Sequence, residues 1–279
     1  MAKNLSSDNN TSKLIPIDYS VYKMGVKEKL VYFLIAFAVG AAVGYLFYGG
    51  IGKDADGNPT TLTYILNIVI PCVVGSIAGI FFLPMRVKQI IEKRKQNLHL
   101  QFRDMIEALA TNLNAGKNVP DSMKSVYDDL KVQYQEGSFI LREIEIILSS
   151  INNNVNLEDV LLDFGNRSGI TDIESFANVF KTCYRKGGNI KDVIKTTHQI
   201  INDKIGIEME IETMVTANKT EQYIMIAMPI GLILLIKMMS PEFAEKFVSP
   251  TGIIATTIAI VIFVIAYFVG KEVLSINKV

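Results

Sequence analysis

The stretch YRKGGNIKD, residues 184–192, predicts the end of one helix, a tight turn and the start of the next. Arg185 and Lys186 are cations at the carbonyl end of the first helix, where the helix macrodipole favours positive charge. Gly187 or Gly188 can supply the left-handed residue that often ends a helix. The stretch therefore predicts a helical hairpin, and the rest of the chain is built around it.

The helix starts share one order of residues: asparagine, an aliphatic residue, any residue, then aspartate. Asparagine is a good N-cap, and an acidic residue three positions later can bond back to it, as in a capping box. The pairs are Asn118 with Asp121, Asn156 with Asp159, and Asn189 with Asp192, with Gly116 before the first pair. One helical-hairpin unit reused along the chain explains the pattern. Three unrelated helix starts also explain it, because these residues are common caps.

Four apolar stretches carry little or no charge, and we predict that they are transmembrane helices. About 20 apolar helical residues cross the roughly 30 Å of hydrocarbon in a bilayer. The predicted spans are 31–51, 62–83, 224–239 and 253–269, with Pro84 expected to end the second. Two pairs of small residues at four-residue spacing, Gly40 with Gly44 and Gly75 with Gly79, predict close approach of helices.

A basic cluster follows the second span and sets the predicted topology. Its members are Arg86, Lys88, Lys93, Arg94 and Lys95, with only Glu92 of opposite sign. Positively charged loops stay in the cytoplasm, and such a cluster also suits contact with anionic lipid headgroups. The loop at 52–61 has no such excess of positive charge. We therefore expect both termini to be cytoplasmic in a multi-pass protein of the cell membrane.

The predicted architecture is all-α: a polytopic membrane protein with four transmembrane helices and a cytoplasmic six-helix domain. The segments are a partly disordered amino-terminal segment 1–29, a transmembrane hairpin 30–83, a helical domain 84–222, a second hairpin 223–270 and a tail 271–279. Apolar residues recur every three or four positions through the domain. The last helix of the domain has no strong stop signal, so we expect it to run on into the third span.

Residues 97–222 hold 13 basic and 19 acidic side chains, so the domain is net acidic. Glu208, Glu210 and Glu212 stand near its membrane end, as a solvated helix face or as a metal or partner site. The formal net charge of the whole chain is zero, which gives no indication of a nucleic-acid partner.

Motifs for catalysis are absent from the sequence. Gly116-Lys117 is followed by Asn118 where a phosphate-binding loop needs serine or threonine. His99 and His198 are far apart and lack a metal-ligand pattern. The two cysteines, Cys72 and Cys183, fall in a predicted span and on an apolar helix face, and no disulfide is expected. We predict no enzyme, no cofactor and no metal, but a membrane-anchored helical interaction module.

Three motifs resemble the cytoplasmic domain of the type II secretion system F family of inner-membrane platform proteins. They are LNAGKNVPDSM at 113–123, NNNVNLEDVLLDF at 152–164 and, most specifically, FKTCYRKGGNIKDVI at 180–194. With two spans before and two after one such domain, the chain is similar to the TadB/TadC branch of tight-adherence (Tad) pili. Other members usually carry two copies of the domain, and this chain has one.

The resemblance implies an inner-membrane platform that couples a cytoplasmic ATPase to pilin assembly in a Tad-type pilus or a type II-like secretion machine. Implied partners are the ATPase, pilin subunits, a paralogous platform protein and the lipid bilayer, in a homo- or hetero-oligomer. Arg185, Lys186 and Lys191 surround the predicted turn and are candidates for contact with an acidic partner. The alternative role for these cations is only to complement the helix end. A membrane sensor with a helical relay domain is the alternative function, but it would predict larger outer loops.

Overall fold

A computed structural model describes residues 16–52, 59–240 and 246–275. Within these ranges the protein is all-helical, without a strand. The helices are α1 Val26–Tyr48, α2 Thr61–Asn114, α3 Val119–Gln133, α4 Phe139–Asn152, α5 Leu157–Ser168, α6 Thr171–Arg185, α7 Ile190–Met239 and α8 Pro250–Ser275. Residues 1–15 of the segment predicted to be partly disordered and residues 53–58 of the loop at 52–61 lie outside the described ranges.

The chain divides into two compact units. The helical unit comprises the described residues 16–22 together with Gln89–Ile207, and the apolar unit comprises Lys23–Lys88 with the described residues from Glu208 onward. The predicted helical domain, 84–222, therefore extends beyond the helical unit at both ends. Sequence periodicity did not indicate that residues 16–22 belong to the helical unit, because they are not helical.

The apolar stripes of the sequence form the core of the helical unit. Fully or almost fully buried stripe residues are Phe102, Ile106, Leu109, Met123, Val126, Ile140, Ile144, Ile147, Leu161, Phe164, Ile173, Phe176, Phe180, Ile194 and Ile201. Phe102 lies at the centre of an aromatic cluster, with ring centroids 5.5 Å from Phe176 and 6.1 Å from Phe164. Each buried side chain of this size contributes roughly 1.5–3 kcal/mol. The predicted recurrence of apolar residues every three or four positions thus places these side chains on the buried faces of the helices.

In the apolar unit, α1 and α2 approach each other closely at the paired glycines. A methyl group added at Gly40 would lie 2.8 Å from Cβ of Ala78, and one at Gly79 would lie 2.5 Å from the ring of Phe33. Gly40 and Gly44 are the buried residues of α1. The structure thus confirms that the small-residue spacing marks a close helix contact.

Among the described residues, four helices are long and apolar enough to cross a membrane: Val26–Tyr48, Thr61–Asn114, Ile190–Met239 and Pro250–Gly270. Their apolar side chains are largely exposed, as expected for surfaces that face lipid rather than water. On this basis the chain is a membrane protein. In a soluble protein so much exposed apolar surface would drive aggregation.

The two longest helices continue past the predicted span ends. Pro71 and Pro84 both lie inside α2, so Pro84 does not end the helix. A proline removes one backbone hydrogen bond at a cost of about 3 kcal/mol, which good helix formers on both sides can offset. As predicted, α7 runs without a break from Ile190 into the third apolar stretch.

Candidate interaction sites

The hairpin tip, residues 185–191, has the geometry of a glycine-terminated helix. Gly187 has φ of +67°, so it rather than Gly188 supplies the left-handed residue. The Gly188 N–H donates to the carbonyl of Cys183 at 2.9 Å, which satisfies one of the last carbonyls of α6. A methyl group at Gly188 would lie 2.6 Å from Sγ of Cys183. A side chain is therefore unfavourable at both positions, at Gly187 because of its backbone conformation and at Gly188 because of the limited space.

The three asparagines at the helix starts differ in what their side chains bind. Asn118 is a true N-cap, since its side-chain oxygen accepts the N–H of Asp121 at 2.8 Å. The amide of Asn156 points instead to the carboxylate of Asp159 at 3.5 Å, and no capping bond forms. The amide of Asn189 donates to the carboxylate of Asp192 at 2.5 Å. The pattern thus gives three helix starts, but a side-chain N-cap bond is seen at Asn118 and is lacking at Asn156.

Arg185 is bound within the helical unit. Its Nε donates to Glu158 Oε1 at 3.1 Å and its Nη2 to the carboxylate of Asp159 at 3.1 Å. Lys181 Nζ also lies 3.0 Å from Asp159. Hydrogen bonding to Glu158 raises the pKa of Arg185, and hydrogen bonding from Lys181 lowers the pKa of Asp159. These contacts join α6 to the start of α5, whereas Lys186 and Lys191 have exposed side chains.

The basic cluster after the second apolar stretch separates into bound and exposed members. In the apolar unit, the guanidinium of Arg86 lies 5.1 Å from the ring centroid of Tyr32. In the helical unit, Arg94 lies over the ring of Tyr22 and Lys95 donates to the carbonyl of Gly169. Lys88 and Lys93 are exposed. Contact of the cluster with anionic headgroups stays a prediction.

The remaining candidates are the acidic residues of α7 and the histidine His99. Glu208, Glu210 and Glu212 are all exposed on α7. In the part of the chain that the structure describes, no group of three or more His, Cys, Asp or Glu side chains could hold a metal ion. His99 Nε2 lies 3.0 Å from Asp172, which also pairs with Lys204.

A buried ion pair in the helical unit was not predicted from the sequence. Glu143 on α4 is 0 % exposed, and Arg167 on α5 donates to both of its carboxylate oxygens at 3.0 and 2.8 Å. The Nε of Arg167 donates to Asp163 at 2.6 Å. These hydrogen bonds raise the pKa of Arg167 above its usual value despite partial burial. One signal was present: Glu143 lies three residues after Ile140 and four before Ile147, on the buried face of its helix.

Comparison of the chain with protein-family models, with curated proteins and with solved structures finds no match to any of them.

Proposed function

We propose that the protein is an inner-membrane platform protein of a Tad-type pilus or a type II-like secretion machine, in the TadB/TadC branch of the type II secretion system F family. Its role is to couple a cytoplasmic ATPase to the assembly of pilin subunits, alongside a paralogous platform protein or further copies of itself. The three motifs at 113–123, 152–164 and 180–194 support this family. Two candidate membrane spans precede residues 89–207 in the sequence and two follow them, and this order along the chain supports the branch.

One observation carries the functional part of the proposal: α2 and α7 are each a single helix that contains both an apolar membrane-spanning stretch and core residues of the helical unit. α2 includes the buried Phe102, and α7 includes the buried Ile194 and Ile201. A continuous helix transmits a displacement that a flexible linker would absorb. A protein that relays motion from an ATPase to pilin needs such connections.

The ATPase contact is proposed at the exposed cations of the hairpin tip. Lys186 and Lys191 flank the glycine turn and are exposed, so they are available to an acidic partner. Arg185 has a different task, because it binds Glu158 and Asp159. Charge reversal at Lys186 and Lys191 should therefore weaken ATPase binding in a salt-dependent way and leave the melting temperature unchanged. Charge reversal at Arg185 should lower the melting temperature. If reversal at Arg185 weakened ATPase binding and reversal at the two lysines lowered the melting temperature, Arg185 would be the contact residue and the lysines would be structural.

Purification from native membranes tests the function itself. A secretion ATPase and pilins should copurify with the tagged chain and be lost together in the double variant of Lys186 and Lys191. Copurification of a kinase or a second-messenger enzyme instead would support a membrane sensor and refute the platform. Hydrolysis of ATP by the purified chain alone would also refute it.

The proposed topology places both termini in the cytoplasm. A cysteine at Ser249, between α7 and α8, should react with an impermeant maleimide in intact cells once Cys72 and Cys183 are replaced by serine. A cysteine at Lys93 is the matched control and should react only after permeabilisation. The opposite labelling pattern would invert the topology. The loop position Asp56 lies outside the described residues, and the same labelling is expected there.

A further inference from the structure

A short non-helical segment, residues 16–22, packs on the helical unit, and we name it the strap. The Tyr19 side chain is 0 % exposed, and its hydroxyl donates to Glu143 Oε1 at 2.8 Å. The Tyr19 N–H donates to the carbonyl of Arg167 at 3.0 Å, and Arg167 Nη1 donates to the carbonyl of Ile17 at 2.9 Å. Three hydrogen bonds thus hold the Tyr19 hydroxyl, the Tyr19 N–H and the Ile17 carbonyl.

The charged groups under Tyr19 are paired with one another and do not need the strap as a counter-ion. The rings of Phe139 and Tyr19 pack edge-on, with centroids 5.5 Å apart. We name the surface formed by Phe139, Glu143 and Arg167 the socket. Arg167 neutralises Glu143 through two hydrogen bonds and is itself held by Asp163. Glu143 therefore keeps its counter-ion when Tyr19 is removed. A buried charge that lost its counter-ion would be strongly destabilising. A preformed socket of this kind is a feature of binding sites.

The strap adds the fully buried Tyr19 to the core, and the partly buried Ile17 packs against that core. Pro16, Asp18, Ser20 and Val21 are exposed. The ring centroid of Tyr22 lies 4.2 Å from the guanidinium of Arg94. Release of the strap would consequently uncover the Tyr19 and Ile17 side chains.

We propose that the socket is a binding site for a tyrosine-bearing peptide and that the strap is its releasable occupant. The ligand is defined by its chemistry: a tyrosine hydroxyl for Glu143, the tyrosine N–H for the Arg167 carbonyl, and a carbonyl two residues earlier for the Arg167 guanidinium. Any segment that presents these groups competes with the strap. The inference stands whether or not the chain serves a secretion machine.

Binding of a fluorescein-labelled peptide of residues 16–23 to the detergent-solubilised protein tests the proposal by fluorescence anisotropy. A chain lacking residues 1–22 should bind the peptide saturably. The intact chain should bind it at least about tenfold more weakly, because its tethered strap competes at a high effective concentration. A Tyr19→Phe peptide should lose at least about tenfold in affinity, because the hydrogen bond to a charged carboxylate is lost. A Val21→Thr peptide, altered at an exposed position, is the matched control and should bind as the native peptide does.

Equal binding of the Tyr19→Phe and native peptides would overturn the proposal, as would no binding to a truncated chain with the helical circular dichroism of the intact one. If truncation impairs folding, the intact chain with Tyr19→Ala replaces it, since that variant keeps the whole backbone. This variant should bind the native peptide at least about tenfold more tightly than the unaltered chain. Equally weak binding by the two chains would show that the strap is a permanent part of the fold.

Discussion

Single residues in the helical unit carry distinct energetic roles that their type alone does not reveal. Asn118 and Asn156 stand at corresponding places in one repeated pattern, yet only Asn118 caps its helix through a backbone N–H. Likewise Arg167 and Arg185 both bind two carboxylates, but only Arg167 binds one that is fully buried. Whether an asparagine caps its helix depends on the local backbone, and the role of each arginine depends on how deeply its carboxylate partner is buried.

Replacing the capping asparagines measures the first difference. Asn118→Ala should lower the free energy of unfolding by about 0.5–2 kcal/mol through loss of an N-cap. Asn156→Ala should cost distinctly less, because no capping bond is lost. Thermal melts of the intact protein, followed by hydrogen exchange in α3 and α5, provide the measurement. Equal costs at the two positions would mean that the repeated pattern acts uniformly.

The glycines of the hairpin tip allow a second comparison. Gly187→Ala should destabilise by about 1–2 kcal/mol, because φ of +67° is unfavourable for a residue with a side chain. Space does not contribute there, since no atom lies within 4 Å of an added methyl group. At Gly188 the cost should come from the 2.6 Å approach to Cys183 Sγ, so Cys183→Ala should relieve it. Absence of that rescue in melts of the double variant would contradict the steric account.

Arg167→Leu tests the buried ion pair. Removing one partner of a buried pair costs about 3–5 kcal/mol, because the other charge is left without a counter-ion. Asp163→Asn is the control, since its side chain is 59 % exposed and its pair with Arg167 should contribute under about 1 kcal/mol. Chemical denaturation followed by far-ultraviolet circular dichroism would measure both. A similar small loss for the two variants would show that water reaches Glu143.

At the scale of helices, the α1–α2 contact depends on the absence of side chains. Gly44 lies with its Cα facing Val74 and Pro71, where an added methyl group would be 3.2 and 3.3 Å away. Gly75 faces the carbonyl of Phe37, 2.7 Å from an added methyl group. The close approach of the two backbones creates van der Waals contacts between α1 and α2. Such contacts are a main source of helix association in lipid.

Gly40→Leu should therefore separate α1 from α2. Its side chain would collide with Ala78 and the backbone of Gly75, neither of which can move away as a flexible side-chain end could. Ala42→Leu, at an exposed position two residues later, is the matched control and should be neutral. Cross-linking between cysteines placed at Tyr32 on α1 and Phe82 on α2, whose rings lie 6.5 Å apart, reports the contact. Undiminished cross-linking in the Gly40→Leu variant would mean that the hairpin does not depend on this approach.

For the molecule as a whole, three tyrosines couple stability to alkaline pH. Burial, followed by the charge of Glu143, raises the pKa of Tyr19 well above its usual value, and burial with a hydrogen bond to Asp104 does the same for Tyr134. A hydrogen bond to Glu145 raises the pKa of Tyr127 to about 12. Each neutral phenol stabilises the fold fully below its unfolded pKa of about 10. That contribution is lost as pH rises towards the folded pKa.

Tyr127→Phe isolates one of these contributions. The variant loses a 2.7 Å hydrogen bond to Glu145, so it should be less stable at pH 8 by about 0.5–1.5 kcal/mol. The stability difference from the unaltered chain should shrink as pH rises from about 10 to about 12, because the native phenol ionises in that window. Denaturation at several pH values checks this. A difference that stays constant would remove Tyr127 from the alkaline response.

The sequence by itself determined the all-helical class, the apolar stretches and most of the buried core, because these follow from local periodicity and from chains of apolar residues. It also indicated the close contact at Gly40 and Gly44, since small residues at that spacing leave a groove. Only the tertiary structure decided that Tyr19 joins the helical unit and that Glu143 and Arg167 pair beneath it. Tyr19 lies 124 positions from Glu143. A buried polar contact over such a distance has no local signature, because its energy depends on which groups the folded chain brings within hydrogen-bond reach.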